Sequence, residues 1–247
     1  MKDNIFIILL ISLFLLSGCS KNNAPLTEKK ESKDSSSVTA NVNKESAGAE
    51  TKENADGTIS GLKFDVKDIA GKLLFDGNIV AGAQWKDSKG LNAIVVTETR
   101  ETEKKRPGGE RSLSKKLYGY GFLIGENGNS EEIWKINDLV ENCDFDLTLS
   151  YIEKSLSVTD LNKNGIAETT FLYKLTCRSD VSPSDLKLMM HEGKEKYTIR
   201  GTMIVKLPNE GPYGGEMKVD KSFNDAPKEF LDYAKLQWKK FQEEKFN

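Results

Sequence analysis

The stretch FDLTLSYI, Phe145–Ile152, decides how this chain is read. Phe145, Leu147, Leu149 and Tyr151 fall on one side of an extended backbone; Asp146, Thr148 and Ser150 fall on the other. That two-residue period belongs to a strand with one face in a core and one in water. Working outward, Leu74–Phe75, Ile79–Trp85, Asn92–Thr97, Leu117–Ile124, Glu132–Ile136, Ser155–Thr159, Thr169–Leu175, Leu186–His191 and Tyr197–Leu207 also read as short strands. Turn chemistry separates them: Asp87-Ser88-Lys89-Gly90, Asn127-Gly128, Asn164-Gly165 and Gly193. Asn-Gly is a strong hairpin signal because both residues tolerate positive φ.

The expected fold is therefore mainly β, an antiparallel meander. Gly90, Gly128 and Gly165 are nearly evenly spaced, which raises propeller-like repeats as a variant, although Gly193 breaks the spacing. One helix is expected at the C-terminus. Asp225-Ala226-Pro227 supplies a cap and a proline for the first turn, and Phe230, Ala234, Trp238 and Phe241 recur at helical spacing. Such a stripe covers a sheet.

The first residues carry a different message. Lys2 precedes an almost unbroken apolar run from Ile5 to Leu16. The run is shorter than the roughly 20 residues a membrane span needs, and small residues follow it, so it reads as a secretory signal. From Ser20 to Gly57 the chain is rich in Ser, Lys, Glu and Asn and has no aromatic residue. It reads as a disordered tether with a reach of roughly 30–40 Å. The expected organisation is a signal peptide over 1–18, an anchor and tether over 19–57, and a single β-rich domain over 58–247.

The whole chain has 36 basic and 38 acidic side chains, net −2, a balance that speaks against a dedicated nucleic-acid binder. Of its three cysteines, Cys143 and Cys177 fall in the domain, and read either as a disulfide or as two buried thiols. They lack CxxC spacing. The single histidine, His191, excludes paired-His zinc motifs and is expected to face solvent at a strand end. No Walker loop, GxSxG or GxGxxG is present.

Three loops invite a ligand. CRSDVSPSD groups Arg178, Asp180 and Asp185 around Ser182-Pro183, a composition suited to a sugar or an ionic head group, or to a local salt-bridged loop. GPYGGE sets Tyr213 among glycines that let a ligand approach the backbone. EKKRPGGERSLSKK is a charged hairpin loop. Asp180, Asp185 and Glu192 are the carboxylates available for carbohydrate hydrolysis, a chemistry that needs two of them roughly 5–10 Å apart.

In TDLNKNGIAE, Asp160, Asn162 and Asn164 stand at alternate positions before Gly165, with Ile166 offering a carbonyl and Glu168 two residues on. Oxygen ligands so spaced can wrap calcium. Phe171 stands where an EF-hand needs its bidentate glutamate, so that form is excluded. The pattern is similar to the calcium loops of FG-GAP-like propeller repeats. The alternative is a turn whose polar residues cap strand ends.

Two resemblances complete the reading. Leu16-Ser17-Gly18-Cys19 resembles a bacterial lipobox. It implies that Cys19 becomes an acylated N-terminus, palmitate-type chains holding it in a membrane. Ser20 after it, rather than Asp, points to the outer membrane. DLNKNGIAETTFLYKLTCRSDVSPSDLKLMMHEGKEKYTIRGT, with YGGEMKVDKSF after it, resembles a family of exported flavobacterial lipoproteins described as surface polysaccharide biosynthesis proteins. That resemblance implies a role in polysaccharide synthesis or display, with surface polysaccharide or an envelope assembly protein as partner. It carries no catalytic residues. The expectation is a non-catalytic binding or assembly module; the alternatives are a carbohydrate-active enzyme with paired carboxylates and a calcium-stabilised scaffold.

Overall fold

A computed structural model describes residues 59–245. The readings of the signal peptide, Cys19 and most of the tether lie outside these residues. The described chain is mainly antiparallel β with one C-terminal helix.

The first sheet contains β1 (Ser60–Lys63), β2 (Asn78–Asp87), β3 (Gly90–Glu98), β4 (Thr102–Lys105), β5 (Arg111–Ile124) and β6 (Ser130–Cys143). β5 organises it. Its second half pairs with β3 and its first half with β4, while β6 runs along its other side. Among the described residues β6 pairs with β5 alone, which leaves its outer edge unpaired.

The second sheet begins with β7 (Asp146–Tyr151) and β8 (Ser157–Thr159), both paired to β9 (Glu168–Arg178). It continues through β10 (Asp185–Glu192) and β11 (Glu195–Thr202). A small ladder of β12 (Ile204–Val205) and β13 (Tyr213–Gly214) follows, and β14 (Met217–Val219) rejoins β11. The helix α1 spans Lys228–Phe241.

The pleat sorts the side chains into layers. On β3, Ile94 and Val96 face the second sheet, while Ala93 and Val95 face outward under a cover made by Val66, Ile69 and Leu73. On β9, Phe171 and Tyr173 enter the space between the sheets. Leu172 turns to the other side, where Leu186, Leu188 and Met190 of β10 meet Phe230, Ala234 and Trp238 of α1. The run AIVV, and the apolar residues of LKLMM on either side of Lys187, thus lie in strands buried on both faces.

Several expectations change. The evenly spaced turn glycines do not mark blades. Gly90 and Gly128 lie in hairpin turns of the first sheet and Gly165 in a loop of the second; propeller blades would be separate four-stranded sheets around an axis. Leu74–Phe75 is not a strand but the end of the segment covering the outer face. Asn164-Gly165 is not a two-residue hairpin: residues 160–167 form a wider loop, with positive φ at Lys163 and Gly165. The N-cap of α1 is Pro227 and makes no side-chain cap bond.

Cys143 at the end of β6 and Cys177 near the end of β9 are disulfide-bonded, with Cα atoms 5.6 Å apart. The bridge ties the first sheet to the second at one end of the sandwich. Near the C-terminus, Glu244 is buried and accepts from both guanidinium nitrogens of Arg178 (3.3 and 2.8 Å). It also accepts from the Ser184 N–H and Oγ, at 2.9 and 2.6 Å.

Candidate functional site

At the end of the sandwich away from the disulfide, the sheets part around a cavity of about 300 Å³. Trp85 and Phe122 of the first sheet, Ile133 and Trp134 of β6, and Ile166 and Ala167 before β9 give it a carbon-rich wall. Lys89, Glu131 and Lys194 supply charge to its lining.

Trp134 is fixed from both sides. Its cross-strand partner is Gly121, where an added Cβ would lie 2.2 Å from the indole Nε1, so the ring rests on bare backbone. The His191 imidazole stacks on the indole with centroids 3.8 Å apart and planes within 4°. Glycine within a strand often marks such a close approach. His191 does not face solvent, as its strand-end position suggested: it is 2 % exposed. Burial pushes its imidazole down to about 3, and Lys196 adds to the effect, so the ring is neutral in ordinary buffers. Among the described residues His191 Nδ1 has no hydrogen-bond partner, nor does Oγ1 of its cross-strand neighbour Thr169. Both residues border the cavity, but neither of these two atoms has surface open to it.

Asp87 closes the floor. Its carboxylate accepts from Trp85 Nε1 (3.1 Å), Lys89 N (2.8 Å), Asn92 Nδ2 (2.9 Å) and Ala167 N (3.1 Å). The last bond crosses to the second sheet, beside a backbone bond from Ser88 N to Gly165 O of 2.8 Å.

The 160–167 loop packs beside this clasp and closes on its own hydrogen bonds. Asp160 accepts from the backbone N–H groups of Asn164 and Gly165, and Asn164 Oδ1 from that of Ile166. The amides of Asn162 and Asn164 both donate to Glu192 Oε1, at 2.9 and 2.7 Å. Glu168 turns its Oε2 to Thr159 Oγ1 and Leu161 N. Among the described residues no three His, Cys, Asp or Glu side chains are grouped to hold a metal ion.

Arg178, Asp180 and Tyr213 lie toward the opposite end. Arg178 is engaged by Glu244, Asp180 accepts from Ser182 N and Oγ, and Tyr213 donates to the Val181 carbonyl. Asp185 and Glu192 begin and end β10, roughly 23 Å apart at strand rise, so this pair is not brought together. Sequence reasoning missed Trp85, Asp87, Trp134 and Thr169. The signal was YGYGF, Tyr118–Phe122, whose alternate glycines admit Phe171 and Trp134 against the strand.

No protein-family model, curated protein or solved structure matches the chain.

Glu168 carries a measurable consequence. It is fully buried, its Oε1 has no partner among the described residues, and Glu192 stands directly across the ladder. Burial, with Glu192 adding, lifts its carboxyl to about 7 against the bonds from Leu161 and Thr159. Below the ordinary value of 4.5, folded and unfolded chains both hold the proton. Between there and about 7 only the folded chain does, so stability falls as pH rises. At roughly 1.4 kcal/mol per pH unit the full penalty is about 3 kcal/mol. Glu168→Gln is expected to match the wild type at pH 4 and to exceed it by about 3 kcal/mol at pH 8. Urea unfolding at the two pH values checks this; identical midpoints at pH 8 would contradict it.

Proposed function

We propose that this chain is a lipid-anchored binding module of the bacterial cell envelope. Cys19 holds it to the outer membrane, and the β-domain engages surface polysaccharide during its assembly or display without chemistry on the polymer. The cavity between Trp85, Trp134 and His191 is the observation that carries this reading. A preformed, mostly apolar concavity with a few buried polar atoms is the usual form of a small-ligand site. The groups there that resemble catalytic ones are committed otherwise. His191 is held neutral under the indole, and the Asp87 carboxylate is engaged by four donors. The lipobox and the family resemblance supply the location and the polymer.

Full-length protein in detergent, immobilised and exposed to polysaccharide extracted from the producing cells, is expected to retain it. Trp134→Ala, checked for an intact melting transition, is expected to weaken retention at least about tenfold, since it removes the ring between Gly121 and His191. Retention no greater than on a bare support, with unchanged surface polysaccharide after gene deletion, would overturn the proposal.

A further inference from the structure

A second concavity, of about 730 Å³, lies between the turn after β7 and the chain that follows α1. Its lining is charged, and the charge is one-sided. Lys154, Lys174, Lys240 and Lys245 bring four ammonium groups, against the carboxylates of Glu153 and Glu243. Glu243 is already held by Lys206 at 2.6 Å. Lys174 lies 3.6 Å from the buried Glu244, but Arg178 is nearer to that carboxylate, at 2.8 Å. Lys239 and Lys240 stand in the last turn of α1, where they offset the partial negative charge of the helix end. That leaves Glu153 to oppose the lysines, and the groove is positive on balance. Ammonium groups gathered around one concavity repel one another, and an anion placed among them relieves the repulsion.

The lysines are set at different depths. Lys154, Lys240 and Lys245 are exposed. Lys154 has φ 62°, a left-handed backbone that a lysine seldom adopts, so the turn carries an ammonium to the rim at some local cost. Lys174 is recessed: it stands within β9 and its side chain is 24 % exposed. Between them the surface is carbon from half-buried Ile152 and Phe241, with Lys240 Nζ 4.9 Å from the Phe241 ring centroid. A flat array of lipid head groups meets the exposed lysines but not Lys174 on the floor. A chain laid along the groove meets all four. Lysine is a compact point charge without the fork of arginine, so it accepts carboxylate, sulfate or phosphate ester alike.

We propose that this groove binds an acidic polysaccharide chain, its sugar-borne anionic groups pairing with Lys154, Lys174, Lys240 and Lys245 while ring C–H faces rest on Ile152 and Phe241. The class of polymer rests on the polysaccharide reading; the sign of its charge comes from the groove.

The test uses full-length protein in detergent, titrated calorimetrically with polygalacturonate, polyglutamate and neutral dextran. Polygalacturonate is expected to bind at least tenfold more tightly than the other two, and to be released in about 1 M salt, where charges are screened within roughly 3 Å. Lys154→Gln/Lys240→Gln/Lys245→Gln, checked for an intact melting transition, is expected to weaken binding at least tenfold; these side chains are exposed, so the fold is expected to stand. Glu153→Gln is expected to tighten it. Lys67→Gln/Lys104→Gln/Lys105→Gln removes the same charge from exposed positions that do not line the groove, and is expected to change binding less than twofold. Equal losses in the two triple variants would mean that net charge and not the groove attracts the polymer, and would overturn the assignment. So would polyglutamate binding as tightly as polygalacturonate, or displacement of polygalacturonate from the same lysines by phosphatidylglycerol in mixed micelles. If extracted polysaccharide is retained through Trp134 equally by the groove variant and the wild type, the groove assignment falls and the binding-module reading stands. If neither extracted polysaccharide nor polygalacturonate is retained, both fall.

Discussion

Replacing Glu244 with alanine is expected to cost about 4 kcal/mol of folding stability, in the range for removing one partner of a buried ion pair. The Glu244 side chain is 1 % exposed and lies 2.8 Å from Arg178 and 3.6 Å from Lys174. Burial alone would raise its carboxyl; Arg178 and Ser184 outweigh that and hold it below the usual carboxylate range. Truncation leaves the Arg178 guanidinium without this carboxylate and the buried Ser184 N–H without an acceptor. It also slackens the point where the chain after α1 meets β12, through Glu244 N to Ile204 O at 2.9 Å and Ile204 N to Gln242 O at 2.7 Å. The neighbouring residue is the control. Glu243 pairs with Lys206 at 2.6 Å, but both side chains are more than half exposed, so Glu243→Ala is expected to change stability by less than about 1 kcal/mol. Guanidinium unfolding of the two variants side by side decides it. Equal losses would mean that burial is not what gives Glu244 its weight.

The second large effect is expected from the disulfide. Cys143 and Cys177 are 34 residues apart. Closing a loop of that length removes enough chain entropy from the unfolded state to raise stability by about 4 kcal/mol in the loop-entropy treatment. The Cys143→Ser/Cys177→Ser double variant, or the wild type in reductant, is expected to lose about that much and to melt roughly 10 °C lower. Because the bridge lies at the end of the sandwich away from Trp134 and His191, the cavity there is expected to keep its shape below the melting transition. Unfolding midpoints that do not move with reductant would contradict the assignment.

Most strands were legible because their physics is local. In FDLTLSYI the alternation of Leu147, Leu149 and Tyr151 gives β7, whereas Phe145 lies just before the strand and is exposed rather than on the core face; AIVV is continuous, and β3 is buried on both faces. The Phe230, Ala234 and Trp238 stripe needed only helical spacing to be placed on a sheet. What escaped was set by partners distant in sequence. β1 and β4 are short and exposed; β1 exists because it lies on the edge of β2 that β3 leaves open, and β4 because β5 extends past β3. Glycine periodicity misled because a turn glycine reports a local φ and nothing about which sheet its strands join. His191 misled for a related reason: its place in the chain suggests solvent, and only the approach of β6 from the other sheet covers it. The cavity was invisible as a motif, since its residues come from the two sheets and no short pattern contains them. Only the glycines of YGYGF pointed toward it.

The outer edge of β6 has a bearing on how copies of this protein coexist. A 14-residue strand with one unpaired edge is a template for another chain's backbone, and crowding on a surface would favour such zipping. Along β6 stand Glu131, Glu132, Lys135, Asn137, Asp138 and Glu141, most of them exposed. A second copy docking antiparallel on this edge would set carboxylates near carboxylates, and like charges directly opposite repel. Register slips at Leu113/Lys115 and Gly121/Phe122 of the β5–β6 ladder add bulges that twist the edge out of line. The exposed carboxylates of Glu131, Glu132 and Glu141 would thus disfavour sheet-to-sheet association along this edge.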